Sequence, residues 1–252
     1  MIKLRSKVLW RIGTRACVIY FVVCVFVFVF QRSLLFFPTH QAETGQLDAW
    51  TEGEHVVGYC RERTNPATVW LMCHGNGGQA SDRDYVLKFI PDSDSVYVLE
   101  YPGYGDRSGS PSRMSIDLAA TEAYEILCRR YPDIPLGVIG ESLGSGPACA
   151  LTSSIRPPEK VVLIVPFDTL HRIASRRFPF LPVWLLLLDR WDNIQSLSRY
   201  QGPVEIYGAR DDKVIPCSHA RRLADSHTGS RYQELNCGHN DWSYTSDIKI
   251  SR

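Results

Sequence analysis

The stretch Leu136-Gly-Val-Ile-Gly-Glu-Ser-Leu-Gly-Ser-Gly-Pro-Ala-Cys-Ala-Leu151 decides the reading of this chain. Its first residues form a short apolar run, as expected of a strand buried on both faces. Its last residues are a small-residue helix. Between them lies Gly140-Glu141-Ser142-Leu143-Gly144, a G-x-S-x-G match. A serine on a sharp strand-to-helix turn exposes its Oγ, and only small flanking residues let such a turn pack. Ser142 is therefore the candidate nucleophile. The backbone N–H of Leu143, at a helix N-terminus, is a candidate oxyanion donor.

Outward from this turn, the chain alternates short apolar runs with helical patterns. Strands are expected at 68–73, 95–100, 136–140, 161–165 and 204–207, with a weaker one at 232–235. The clearest helix is expected from Ser115, read as its N-cap, to about Arg130. Such alternation predicts an α/β fold with a mostly parallel central sheet covered by helices on both faces. Phe178-Pro-Phe-Leu-Pro-Val-Trp-Leu-Leu-Leu-Leu188 breaks the rhythm. It reads either as a core helix opened by Pro182 or as the start of a small cap over residues 178–195, and both readings stand open.

Three further segments carry chemistry. His74-Gly-Asn76-Gly-Gly78 follows a strand directly, and its glycines allow close backbone approach, so the Asn76 N–H is a second candidate oxyanion donor. No G-K-[ST] follows, which excludes a phosphate loop. A carboxylate that orients a catalytic imidazole is expected after a later strand, where Gly208-Ala-Arg-Asp211-Asp212 stands. Asp211 is the preferred register, with Asp212 as the alternative. Of the late histidines, His227 precedes the last strand, whereas His239 sits in a Gly-containing loop after it. His239 is the candidate base, completing the order Ser, Asp, His.

The 252 residues suit one domain of ordinary size plus a targeting segment. With 28 basic and 27 acidic residues, no basic excess exists to neutralise phosphates, so nucleic acid is not an expected partner. None of the eight cysteines forms a C-x-x-C pair, and neither metal nor cofactor is expected. Residues 1–15 carry Lys3, Arg5, Lys7, Arg11 and Arg15 without an acid, and Ala16–Phe30 then runs 15 residues without a charge. No small-residue cleavage site follows, against a signal peptide, and there is no polar face, against a soluble core helix. An uncleaved anchor over residues 1–33 is the favoured reading, with the α/β domain over 34–252. The basic flank would keep the N-terminus cytoplasmic and place the rest on the other side, periplasmic or extracytoplasmic.

These motifs together resemble the small membrane-anchored serine hydrolases of the α/β-hydrolase family, whose relatives include protein depalmitoylases and lipid hydrolases. The likeness runs through Leu34-Leu-Phe-Phe-Pro38, His74–Gly78, Glu100-Tyr-Pro-Gly-Tyr-Gly-Asp-Arg-Ser-Gly-Ser-Pro111, Gly140–Gly144, Asp211 with Val214, and Gly238-His239. It implies Ser142, Asp211 and His239 as triad, Asn76 and Leu143 as oxyanion amides, and a 102–109 loop packed beside the site. One residue more than the commonest family spacing separates Asp211 from Pro216, which keeps Asp212 in play. Only 13 residues follow His239, so a final covering helix is expected to be short or missing. The implied activity is hydrolysis of acyl esters or thioesters of a small molecule or lipid. The rival readings are an amidase or peptidase on the same fold, and a non-catalytic anchored binding protein.

Overall fold

Runs such as Val69–Cys73 and Lys160–Ile164 are buried at every position, which only inner strands of a sheet covered on both faces allow. The computed structural model describes residues 2–41, 45–244 and 248–252. Eight strands form one sheet: β1 (Asp48–Glu52), β2 (His55–Arg61), β3 (Val69–Cys73), β4 (Ser95–Leu99), β5 (Leu136–Glu141), β6 (Lys160–Ile164), β7 (Val204–Ala209) and β8 (Ser230–Leu235). Their order is β1-β2-β4-β3-β5-β6-β7-β8. The β1–β2 and β2–β4 pairs are antiparallel and all others parallel. Alternate residues feed two cores: Leu71, Val138 and Leu163 on one face, Trp70, Ile139 and Val162 on the other.

The helices are α1 (Ile2–Leu35), α2 (Arg113–Arg130), α3 (Ser145–Ala150), α4 (Leu170–Arg177), α5 (Val183–Leu186), α6 (Asn193–Leu197) and α7 (Ser218–Asp225). The six expected strands are all present. β1 and β2 were not anticipated, because β1 is a polar edge strand and Gly58 interrupts β2. A Cβ at Gly58 would lie 2.0 Å from the Val98 carbonyl oxygen, so the strand pair itself demands the glycine. The N-cap of α2 is Ser112, not Ser115. The Ser112 Oγ accepts from the Ser115 N–H while the Ser115 Oγ accepts from the Ser112 N–H, a reciprocal cap that starts the helix three residues early.

α1 is longer than the 15-residue apolar run suggested. It continues through Arg11 and Arg15, and Leu9–Leu35 is long and apolar enough to cross a membrane. Its last turn belongs to the globular part: Leu35 packs on the core and Phe36 is buried, edge-on to Trp191. The expected boundary at 33/34 therefore falls inside the final turn of the helix. At the other end of the chain, no α-helix follows β8 among the described residues. Ile248 and Ile250 fill the second core instead, and the Ile250 N–H bonds the Phe89 carbonyl.

Between β6 and β7 the chain makes an excursion through α4 and α5, closed at its base by a bridge between Thr169 and Asp192. The fully buried Asp168 carboxylate anchors that base. It lies 2.7 Å from His219 Nδ1 and accepts from Arg222 at 2.7 Å, Arg172 at 2.9 Å and the Thr169 N–H at 2.6 Å. Burial alone would raise its pKa, but these four donors outweigh burial and hold it well below the ordinary 3.8. A depressed folded-state value stabilises the fold above about pH 4 and is lost as pH falls below it. Asp168→Asn is expected to cost roughly 2–3 kcal/mol at neutral pH and to flatten the acid limb of stability. Urea midpoints measured from neutral pH downward check this, and an unaltered acid limb in the variant would refute it.

Candidate active site

Ser142 follows the last residue of β5 at φ +50°, a left-handed conformation rare for a non-glycine residue. Two glycines make the turn possible. A Cβ at Gly140 would meet Ser145 Cα at 2.7 Å, and one at Gly144 would meet the Cys73 carbonyl oxygen at 2.0 Å. The start of α3 thus presses directly on the ends of β5 and β3. The Ser145 Oγ donates to the Ser142 carbonyl, and the buried Asn193 donates to the Ser145 Oγ and the Phe167 carbonyl. That link ties the turn to the start of α6.

The structure brings Ser142 and His239 together, with Oγ 2.9 Å from Nε2. The other ring nitrogen, Nδ1, lies 2.6 Å from a carboxylate oxygen, and that carboxylate is Asp212. The preferred Asp211 is a neighbour in sequence only. It is exposed, and its backbone N–H bonds the Cys237 carbonyl. In the turn after β7 Asp211 is exposed and Asp212 is buried, so only one of the pair faces the imidazole. Asp212 wins because the Val214 and Ile215 N–H groups at 2.8 and 2.7 Å hold its second oxygen. With Nδ1 donating to the Asp212 carboxylate, Nε2 is left to accept from the serine hydroxyl. His227 is buried against the Tyr200 carbonyl, a packing role remote from Ser142.

Leu143 is buried in the single turn that follows Ser142. Asn76 lies in the turn after β3. Its side-chain oxygen accepts from the Phe37 and Gly77 N–H groups and the Tyr104 hydroxyl, and its amide donates to the Leu35 carbonyl. The Tyr101 hydroxyl donates to the His74 carbonyl, and the Gly105 N–H to the Thr39 carbonyl. The 102–109 loop thus packs on the turn that carries Asn76.

No family model matches the chain. It is 30% identical over 236 residues to an uncharacterised protein of Mycobacterium tuberculosis, covering 87% of this chain and 84% of that one. It is 30% identical over 178 residues to the lysophosphatidylserine lipase ABHD12 of Danio rerio, covering 62% of this chain and 46% of the lipase. The chain thus spans about half the length of that lipase. Among solved structures, an esterase of Pyrococcus furiosus superposes with a TM-score of 0.63 at 15% identity, over 81% of this chain and 90% of the esterase. The chain belongs to the α/β-hydrolase family.

One carboxylate of this α/β-hydrolase was not anticipated. Glu141, the variable residue before Ser142, is buried and accepts the Tyr85 hydroxyl, the Trp242 indole N–H and the Gly75 N–H. Arg83 donates to the Tyr85 hydroxyl and to the Gly77 carbonyl. Burial, then the adjacent Glu141 charge, push the Tyr85 phenol well above its ordinary pKa, so it stays protonated and can donate. This network braces the 74–78 turn against β5 and the loop after His239. A charged residue inside an otherwise apolar strand end was the available signal.

Glu141→Gln tests the brace. Whichever way the amide turns, its NH2 meets an N–H donor, from Gly75 or from Trp242. A loss of about 1–3 kcal/mol is expected. Equilibrium denaturation checks it, and a midpoint equal to wild type would show that the network contributes nothing.

Proposed function

We propose that the chain is a membrane-tethered serine hydrolase that cleaves acyl esters or thioesters through an acyl-enzyme on Ser142. The hydrogen-bonded series Ser142–His239–Asp212 carries this reading. Nε2 of His239 takes the hydroxyl proton as Oγ attacks the acyl carbonyl carbon. Asp212 holds the Nδ1 proton and stabilises the imidazolium that forms. The Leu143 and Asn76 N–H groups then face the carbonyl oxygen as it gains charge. Collapse releases the alcohol or thiol, which takes the proton from Nε2. Water repeats the sequence to free the acid and regenerate Ser142. Three side chains already within bonding distance argue against a non-catalytic binding role.

The span Leu9–Leu35 would be about 40 Å long, enough for a hydrocarbon core of about 30 Å. The basic residues before it favour a cytoplasmic N-terminus, with the hydrolase domain on the opposite, periplasmic or extracytoplasmic side. Together with a relative named as a lysophosphatidylserine lipase, the anchor favours a lipid acyl substrate.

A fluorophosphonate is expected to label the wild type and not Ser142→Ala; equal labelling of both would end the proposal. Asp212→Asn would put an amide NH2 against Nδ1, moving the ring proton to Nε2 where it cannot accept from serine. A fall in kcat of about 10³–10⁴-fold on a p-nitrophenyl ester is expected. Asp211→Asn, at an exposed position, is expected to stay within about twofold of wild type. The reverse pattern would restore Asp211 as the acid.

A further inference from the structure

The excursion between β6 and β7 lies along α1, and the contacts have an order. Gln31 Nε2 donates to the Leu186 carbonyl and Gln31 Oε1 accepts from the Leu188 N–H. Eleven residues earlier on the helix, the Tyr20 hydroxyl donates to the Phe180 carbonyl at 2.8 Å. Eleven residues of helix are about 16 Å, the thickness of one leaflet of a hydrocarbon core of about 30 Å. Arg32, one residue beyond Gln31, pairs with Asp189 and marks the polar end.

The segment that descends this far presents apolar side chains outward. Phe180 is 87% exposed, Trp184 68% and Leu185 59%, and on α1 Phe21 and Val25 are exposed as well. In water this patch has no purpose, whereas in lipid it is the expected surface. Backbone bonding agrees. Pro179 and Pro182 bring no N–H, the N–H groups of Leu185, Leu186 and Leu187 bond within the segment, and Tyr20 and Gln31 serve backbone groups left over. A non-helical loop in hydrocarbon needs such partners. Arg176, Arg177 and Arg190 flank the segment and are exposed, long enough to reach lipid phosphates. Between segment and helix lies an apolar crevice of about 110 Å³ lined by Val27, Leu34, Leu181, Val183 and Leu187.

We propose that residues 178–188 enter the bilayer leaflet at the C-terminal end of α1, and that an acyl chain of a lipid in that leaflet occupies the crevice. This rests on reading α1 as a membrane span. It gives the lipid substrate a route out of the leaflet beside the helix, without transfer through water.

The test uses the full chain in phosphatidylcholine nanodiscs, where both membrane faces are open to reagent. Phe180→Cys is compared with Ile155→Cys, a fully exposed position outside the excursion, after subtraction of wild-type labelling. With a membrane-impermeant maleimide, Phe180→Cys is expected to react at least about tenfold more slowly, the difference vanishing in a denaturant. Equal rates in nanodiscs would overturn the insertion. Phosphatidylcholine carrying a diazirine in its acyl chain is expected to crosslink to Leu181, Val183 or Leu187. Crosslinks confined to outward positions of α1 such as Phe21 and Val29 would overturn the acyl-chain site. Neither readout needs turnover, so both stand even if Ser142→Ala shows the hydrolase reading to be wrong.

Discussion

Everything at the site depends on one backbone conformation, the left-handed turn at Ser142. Such a conformation costs a non-glycine residue about 1–3 kcal/mol and persists only where its surroundings over-determine it. Here the surroundings are tight on every side. Gly140 and Gly144 let α3 touch the ends of β5 and β3, Ser145 and Asn193 hold the turn from one flank, and Glu141 holds its neighbours from the other. The strain lifts Oγ out of the strand and toward His239, which approaches from a loop 97 residues away.

The same economy explains the carboxylate beside His239. Asp212 is fixed by two backbone N–H groups before it meets the imidazole, so its position does not depend on His239. The loop that supplies those N–H groups forms immediately after β7, and its geometry selects one aspartate of two. Charge alone could not make that selection. Both residues have the right chemistry, and the difference lies in which side of the turn each Cβ leaves from.

This is also where the sequence stopped being legible. Strands buried on both faces announce themselves as apolar runs, and the parallel core of the sheet, β3 to β8, could be read that way. The edge pair β1 and β2 could not, since β1 needs only Trp50 inward and β2 is broken by a glycine that strand contact requires. Ser142 and His239 were legible because a sharp turn and a terminal loop leave patterns of small residues. Asp212 was legible only as the alternative to Asp211, and Glu141 and Asn193 were not legible, because their positions are set by contacts between segments far apart in the chain. The apolar 178–188 stretch stayed ambiguous for a related reason. A core helix and a small cap share an apolar composition, and spacing along the chain does not say which distant element, here α1, such a segment packs against.

The end of α1 is bonded directly to the turn that carries Asn76, so a membrane-spanning α1 would hold the site at a fixed orientation to the membrane. Leu35 closes the helix, and its carbonyl accepts from the Asn76 amide, whose oxygen in turn accepts from the Phe37 N–H and the Tyr104 hydroxyl. Pro38 then bridges to Gly78 at the far side of the same turn. The turn that carries Asn76 is therefore bonded, through the Asn76 side chain and the Gly78 carbonyl, directly to the residues that leave the apolar helix. A flexible tether would let the domain tumble above the membrane, and the orientation of Ser142 would then be averaged. With Asn76 bonded on both sides of the helix terminus, the tilt of α1 sets the tilt of the site, and the excursion along α1 from Gln31 to Tyr20 opposes rotation about the helix axis. Two separate contacts, one at the helix end and one along its side, are the minimum that fixes a body against a rod, and this chain has both.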